Sequence, residues 1–423
     1  MPIPNPSPLR AKFPALQQTD KQGRPFVFFD GPGGTQVPQA VIEALGESLV
    51  KANANLGGPF HTSRLATEWL AGGRAAMADF LNAPSDSEIV FGANMTSLTF
   101  ALSRSIGREL RPGDEIIVTR LDHDANIAPW IALEERGAVI RWLDFDVEDC
   151  TLHLDQLESL LNERTRLVAV GYASNAVGTI NPIQQIAGTV HRAGAWLYVD
   201  AVHYAPHGPI DVQALDCDFL VCSPYKFFGP HLGVLWGRHE LLDRLQAYKV
   251  RPSSPVAPGK FETGTQSFEA IHATRAAIDY LAEAGRVYGA DYASRFPGFS
   301  GRRLELKQAM AATAEYERPL FRRMLQGLQS LPGLTLYGIA DPGRFDERCP
   351  TLAFTLRGRS PSEVAAALGR EGIFVWDGNY YALAVTERLG VEDSGGMVRV
   401  GLVHYNTAAE VDRFLEVMEK LAA

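Results

Sequence analysis

Short apolar runs recur through the first two thirds of the chain: Glu88–Phe91 (EIVF), Glu115–Val118 (EIIV), Leu167–Val170 (LVAV), Trp196–Val199 (WLYV) and Phe219–Cys222 (FLVC). Amphipathic stretches such as Asp155–Asn162 and Pro182–Ala193 separate several of them. A strand with polar residues on neither side is one that is covered on both faces. Such strands alternating with helices, from about Phe26 to Ile278, predict an α/β domain built on a mainly parallel sheet.

The pattern changes beyond Thr265. A helical period runs to about Ser330, interrupted by glycines and a proline between Gly289 and Gly301. After a turn at Leu331–Gly333 come strand-like runs at Leu334–Tyr337 and Thr351–Leu356, and a helix near Ser360–Glu371. A strand at Ile373–Trp376, the run Met397–Val403 and a helix from about Thr407 complete the chain. That order predicts a smaller α+β unit. The expected division is a large domain over 26–285 and a small one over 286–423. Residues 1–25, rich in proline, are expected to form an arm lying over the surface or over a partner.

Composition narrows the class. The 423 residues are 46% hydrophobic and 21% charged, with a net charge of −9, as in an ordinary globular enzyme. No long basic run occurs, so nucleic acid is not an expected partner. No leader-like segment opens the chain and no apolar stretch is long enough to span a bilayer, which predicts a cytoplasmic protein without a membrane partner. The four cysteines, Cys150, Cys217, Cys222 and Cys349, form no CxxC pair and do not read as a disulfide framework.

In an open parallel sheet, ligands bind beyond the carboxyl ends of the strands. Reactive residues stand there after nearly every apolar run. Asp200 and His203 follow Trp196–Val199, and Ser223 and Lys226 follow Phe219–Cys222. Asn175 follows Leu167–Val170, His123 follows Glu115–Val118, and Met95 and Thr96 open a helix after Glu88–Phe91. A lysine amine forms an imine with an aldehyde cofactor. A carboxylate keeps a pyridinium nitrogen protonated, making the ring an electron sink. A helix amino terminus suits a phosphate. Together these point to pyridoxal 5′-phosphate (PLP).

The stretches FFDGPGGTQVP, HTS at His61–Ser63, LDHDANIAPW, GYASNAVGTINPI, YVDAVHYAPH, CSPYKFFGPHLGVLW, FETGTQSFEAI and VRVGLVHYNT follow one another from residue 28 to 407. In that order they resemble the class V aminotransferase and cysteine desulfurase family of fold type I PLP enzymes. The resemblance implies a mainly parallel seven-stranded sheet in the large domain and a homodimer with shared active sites. It also implies residue roles. Lys226 would hold the cofactor and move the Cα proton, and Asp200 would pair with the ring nitrogen. His203 would reach the phenolic oxygen. His123 would stack on the ring and shuttle protons. Asn175 would lie near the phenolic oxygen and the substrate carboxylate. Ser223 and the Met95–Thr96 backbone would hold the phosphate, with Thr265 reaching the partner's phosphate. Arg399 would bind the substrate carboxylate, although inside an apolar run a structural salt bridge is its rival role. His61 is a candidate substrate contact. Like His231 and His404, it either lines the pocket or satisfies local hydrogen bonds.

Two departures shape the functional expectation. A desulfurase needs a mobile cysteine in the loop before the Arg399 motif, but that region reads WDGNYYAL from Trp376 to Leu383. Tyr225 also stands where the family usually has His before the lysine. The expectation is therefore a lyase acting on an amino acid at Cα or Cβ, by β-elimination, desulfination or β-decarboxylation, with carbon–carbon bond formation from the product as an extension. A class V aminotransferase or an amino-acid epimerase is the alternative. A non-catalytic PLP-fold binding protein is the alternative from another class.

Overall fold

The computed structural model describes residues 7–423; residues 1–6 of the expected arm lie outside the described part. Seven strands form the main sheet: β1 (Ile89–Gly92), β2 (Glu115–Thr119), β3 (Val139–Leu143), β4 (Thr165–Gly171), β5 (Trp196–Asp200), β6 (Phe219–Cys222) and β7 (Gly233–Gly237). Their spatial order is β1-β7-β6-β5-β4-β2-β3, with only β7 antiparallel to its neighbours. β5, β6 and β7 are buried almost throughout, because apolar clusters pack on both faces of the sheet. The sheet is thus the α/β, seven-stranded one that the motifs imply.

Two of its strands go beyond the five apolar runs. β3 is an edge strand whose Val139, Arg141 and neighbours are largely solvated, so no apolar run marks it. β7 is a five-residue strand bounded by Gly233 and Gly237. A Cβ at Gly233 would collide with the Asn94 backbone, so the glycine is what lets the helix opening at Met95 dock against the strand.

A second sheet has four antiparallel strands: β8 (Leu334–Tyr337), β9 (Thr351–Leu356), β10 (Trp376–Gly378) and β11 (Met397–Gly401), in the order β10-β11-β9-β8. The expected strand Ile373–Trp376 is in fact divided. Ile373–Phe374 pairs in parallel with Val27–Phe28, while Trp376 begins β10 opposite Arg399. Val375 is the pivot, and the division carries the chain from one sheet into the other. The helix Gly301–Gln329 joins the two regions: Leu306, Ala309 and Met310 pack into the main core, and Leu320, Met324 and Leu328 into the core of the small sheet.

The amino-terminal arm differs from expectation. Rather than lying on a surface, its described part buries Leu9, Phe13 and Leu16 in the main core of its own chain. Phe13 meets Tyr405, Tyr280 and Phe228 edge-on at ring distances of 5.2, 5.4 and 5.9 Å. Arg10 pairs with Glu410 at 2.9 Å and Lys12 with Glu283 at 2.6 Å. These three aromatic partners come from segments far apart in the chain, so the arm fastens the carboxyl-terminal region to the main core. Phe13→Ala is expected to lower the unfolding free energy by about 3–5 kcal/mol in urea denaturation; a loss below about 1 kcal/mol would show that the arm is only draped there.

Candidate active site

The carboxyl ends of β4, β5 and β6 lie side by side, with Gly171 opposite Asp200 and Asp200 opposite Val221 in register. Two adjoining cavities open over this edge. The inner one reaches Asp200, His203, Ser223 and Met95. The outer one, of about 980 Å³, reaches Arg399 and the segment Trp376–Tyr381. Lys226, His123, Asn175, Tyr225 and Thr96 line both. The structure thus brings together nine of the eleven candidate site residues: Lys226, His123, Asp200, His203, Asn175, Ser223, Met95, Thr96 and Arg399. His61 is exposed at the start of the helix His61–Leu81, and Thr265 is exposed before the helix Phe268–Tyr288. Neither lines the cleft of its own chain. His231 is also exposed and stacks on Tyr225 at 4.9 Å, while His404 is buried against the Tyr280 hydroxyl at 2.6 Å.

Lys226 ends a short helical turn, Pro224–Lys226, that leaves β6 through Ser223. The turn folds the amine back into the protein, where it is buried and donates to the Pro32 carbonyl. Burial lowers its pKa to about 7; Arg399 lowers it further, and Asp200 opposes both. Desolvation raises Asp200 to about 6, against the Val202 N–H, which donates to its Oδ1 at 2.9 Å, and against Lys226. An amine and a carboxylate so poised coexist as a neutral nucleophile and an anion just above neutral pH.

His123 is kept neutral, its pKa lowered to about 4 by burial and by Lys226 and Arg399. Its Nδ1 accepts from the Ala125 N–H at 3.0 Å, so the neutral ring carries its proton on Nε2. His203 is also held neutral by burial and by the charges of His207, Lys226 and Arg399; its Nε2 lies 3.1 Å from Thr351 Oγ1. The helix Met95–Ile106 is capped by Asn94, whose side chain accepts from the Ser97 N–H at 2.8 Å. Met95 and Thr96 occupy its first turn at the cavity wall, where backbone donors and the helix dipole favour an anion.

Arg399 is buried on β11. It donates to the Asn175 carbonyl at 2.8 Å and lies 4.3 Å from the Tyr380 ring. Among the described residues it makes no salt bridge within 4 Å, and the buried Asp30 carboxylate is the acidic group that acts on it from further away. Burial lowers its pKa to about 10. Arg399 Nε and Asn175 Oδ1 are both buried without a hydrogen-bond partner. Orphaned groups of this kind are costly unless a ligand completes them; the free Arg399 donor fits a carboxylate, and the free Asn175 acceptor fits a donor on the ligand.

Two residues of the site went unmarked in the sequence reading. Asp122 is buried beneath Asp200 and accepts from the Gly171 N–H and from Asn126 Nδ2, each at 2.8 Å. Burial raises it to about 7, offset by the Gly171 N–H and reinforced by Asp200. Asp30, in the FFDGPGG stretch, has an unpartnered buried Oδ1 and is raised to about 6 by burial, against the pull of Arg399. Both stand inside matched motifs, which was the available signal.

The model of the family described as aminotransferase class-V matches residues 27–293 and 302–414. The chain belongs to the class V aminotransferase family. An aminotransferase-like protein of Gibberella zeae is 35% identical, with 97% of each chain covered. A cysteine desulfurase of Synechococcus elongatus is 33% identical over 98% of this chain, which spans 63% of that protein's length. In three dimensions the chain is similar to an apo cysteine desulfurase of Thermococcus onnurineus, at 26% identity and a TM-score of 0.86, over 100% of this chain and 98% of the other. This class V protein is accordingly a PLP-dependent enzyme, cysteine desulfurase-like in fold. The site fits that cofactor: a buried lysine, a buried carboxylate, a helix amino terminus and two unpartnered polar atoms line the two adjoining cavities.

The Lys226 environment yields a direct measurement. In apoprotein, acylation of Lys226 by limiting reagent, read by peptide mass spectrometry across pH, is expected to titrate near 7, well below the ~10.4 of a free lysine. The reactive neutral amine predominates above that midpoint. Asp200→Asn should move the midpoint lower still, because the carboxylate favours the protonated amine; a midpoint above about 9 would contradict the burial of the amine.

Proposed function

We infer that the enzyme is a PLP-dependent lyase that acts on an amino acid at Cα or Cβ without a sulfur-accepting cysteine. The observation that carries this is the separation of the cysteines from the cleft. All four are buried, and none lines either cavity over Lys226. Burial pushes the Cys150 thiol up to about 12, and it raises Cys217, Cys222 and Cys349 as well. Cys349 faces a different cavity, beside His207 and Glu317. A nucleophilic cysteine must reach substrate as a thiolate, and none here meets either condition.

When bound, PLP supplies an electron sink conjugated to the substrate nitrogen. The chain's own residues supply the rest. Lys226 would hold the cofactor, and its lowered pKa suits a base that takes or returns the Cα proton near neutral pH. Asp200 would keep the ring nitrogen protonated. Neutral His123 would cover the ring and offer Nε2–H, and His203 and Asn175 would address the phenolic oxygen. Met95, Thr96 and Ser223 would hold the phosphate. Arg399 would grip the α-carboxylate, with Asn175 beside it, and so fix which substituents of Cα face Lys226 Nζ. With no thiol to accept the leaving group, departure from Cβ is left to a group stable by itself.

The reading includes a cytoplasmic homodimer in which the partner's cofactor phosphate is reached by Thr265. Its exposure in one chain and the unpaired cysteines support that reading. Light scattering is expected to find two 46.2 kDa chains per particle, and Thr265→Ala to weaken cofactor retention roughly tenfold.

The decisive experiment compares holoenzyme with Lys226→Ala. The visible absorbance of the holoenzyme should be lost in the variant, and turnover should fall by at least about 10³-fold. Product analysis then separates the branches. A released Cβ substituent marks a lyase, keto-acid dependence an aminotransferase, and racemised substrate an epimerase. A visible band that survives in Lys226→Ala would refute the assignment of Lys226.

A further inference from the structure

The outer cleft has a polarity of its own. Among the described residues lining it, the Lys and Arg side chains are Lys226 and Arg399 alone, whereas Asp124 and Asp377 are both present. Lys226 is committed to the cofactor and Arg399 to the α-carboxylate. A phosphate held at the Met95 turn would add negative charge on the inner side. A second anionic group on the substrate would therefore enter a cleft whose remaining charges from this chain are carboxylates, with no further cation of the same chain to pair it.

The rest of the wall is aromatic. Phe100, Trp376 and Tyr381 line the cleft, and Trp376 and Tyr381 are 52% and 75% exposed. Large apolar rings held open at the mouth of a cleft mark a binding surface. Their positions are fixed. Tyr380 and Tyr381 both have left-handed backbone, at φ 56° and 59°, a conformation that persists only when its surroundings enforce it. Four contacts do so. Asn175 Nδ2 donates to the Tyr380 carbonyl at 2.9 Å and the Asp124 N–H to the Tyr381 carbonyl at 2.6 Å. Asn379 Oδ1 accepts from the Tyr381 N–H at 3.1 Å, and the Tyr380 hydroxyl donates to the Met397 carbonyl. Tyr381 is thereby stacked on His123 at 5.6 Å and 20°. On the opposite side Trp376 rests on Gly33, where any side chain would displace it.

We propose that the substrate is an amino acid with an uncharged aromatic side chain, seated among Phe100, Trp376 and Tyr381, and that Asp124 and Asp377 exclude amino acids carrying a second acidic group. This rests on the lyase reading and narrows it. Desulfination and β-decarboxylation both begin from a substrate with an acidic Cβ substituent, so β-elimination is the branch the cleft accepts: Lys226 takes the Cα proton, the bond from Cβ to a heteroatom that carries the aromatic group breaks, and that heteroatom leaves with the bonding pair and is protonated.

The test is a titration of holoenzyme with L-phenylalanine, L-tryptophan, L-alanine, L-aspartate and L-cysteine sulfinate, following the visible spectrum for dissociation constants independently of turnover. The aromatic amino acids are expected to bind at least about tenfold more tightly than alanine, and aspartate and the sulfinate more weakly than alanine. Tyr381→Leu should reduce the preference for phenylalanine over alanine by roughly tenfold. Asp124→Asn combined with Asp377→Asn should tighten aspartate by about the same factor; the backbone bond from residue 124 to Tyr381 survives this change. Aspartate or sulfinate binding as tightly as phenylalanine would overturn the inference and leave the lyase reading standing. Alanine binding as tightly as phenylalanine would overturn the aromatic subsite. No spectral response to any amino acid would sink the lyase reading itself.

Discussion

The structure depends on keeping three charged groups, Lys226, Asp200 and Arg399, buried together at one edge of a sheet. Each is costly to desolvate alone. Their mutual influence is legible in the shifts: Asp200 pulls Lys226 up while Arg399 and burial pull it down, and Lys226 in turn restrains Asp200. The cost is carried by the apolar strands beneath, which fix the positions of Asp200 and Ser223 so that the side chains cannot drift apart and hydrate. An amine held close to neutrality is the functional return on that arrangement.

Histidines extend the same logic. His123 and His203 stand near two cations and are both kept neutral. A neutral imidazole has one donor and one acceptor, and the Ala125 N–H settles which nitrogen of His123 is which. Orientation of a proton is thus built into a backbone contact one turn away. It does not depend on a charged partner that would titrate.

The sequence carried the parallel strands well because strands covered on both faces are apolar throughout, and carried the chemistry because it stands at their ends. Lys226, Asp200, His203 and Ser223 were visible for that reason. The edge strand Val139–Leu143 was not, since one edge of it meets solvent and Arg141 interrupts its apolar residues. The division at Val375 was hidden because Ile373–Trp376 is one apolar run, and only the placement of Val27–Phe28 decides where it parts. Phe13 looked like part of a surface arm because its partners, Tyr280, Tyr405 and Phe228, are remote in the chain. His61 and Thr265 matched motifs that a single chain does not bring to its own cleft. Asp30 and Asp122 lay in quoted motifs, but a carboxylate in a loop resembles any other until its burial is seen.

Trp376 lies directly across from Arg399 in the small sheet. The guanidinium proposed to grip the substrate's carboxylate and the ring proposed to face its side chain therefore sit on adjacent strands of one sheet, whereas Lys226 belongs to the other. Any rocking of the small sheet over the large one moves grip and wall together relative to the amine. A substrate that fits the wall well thus also draws its own Cα into line, and one that fits badly is held off-axis by the same motion. Recognition and alignment would then be a single mechanical event.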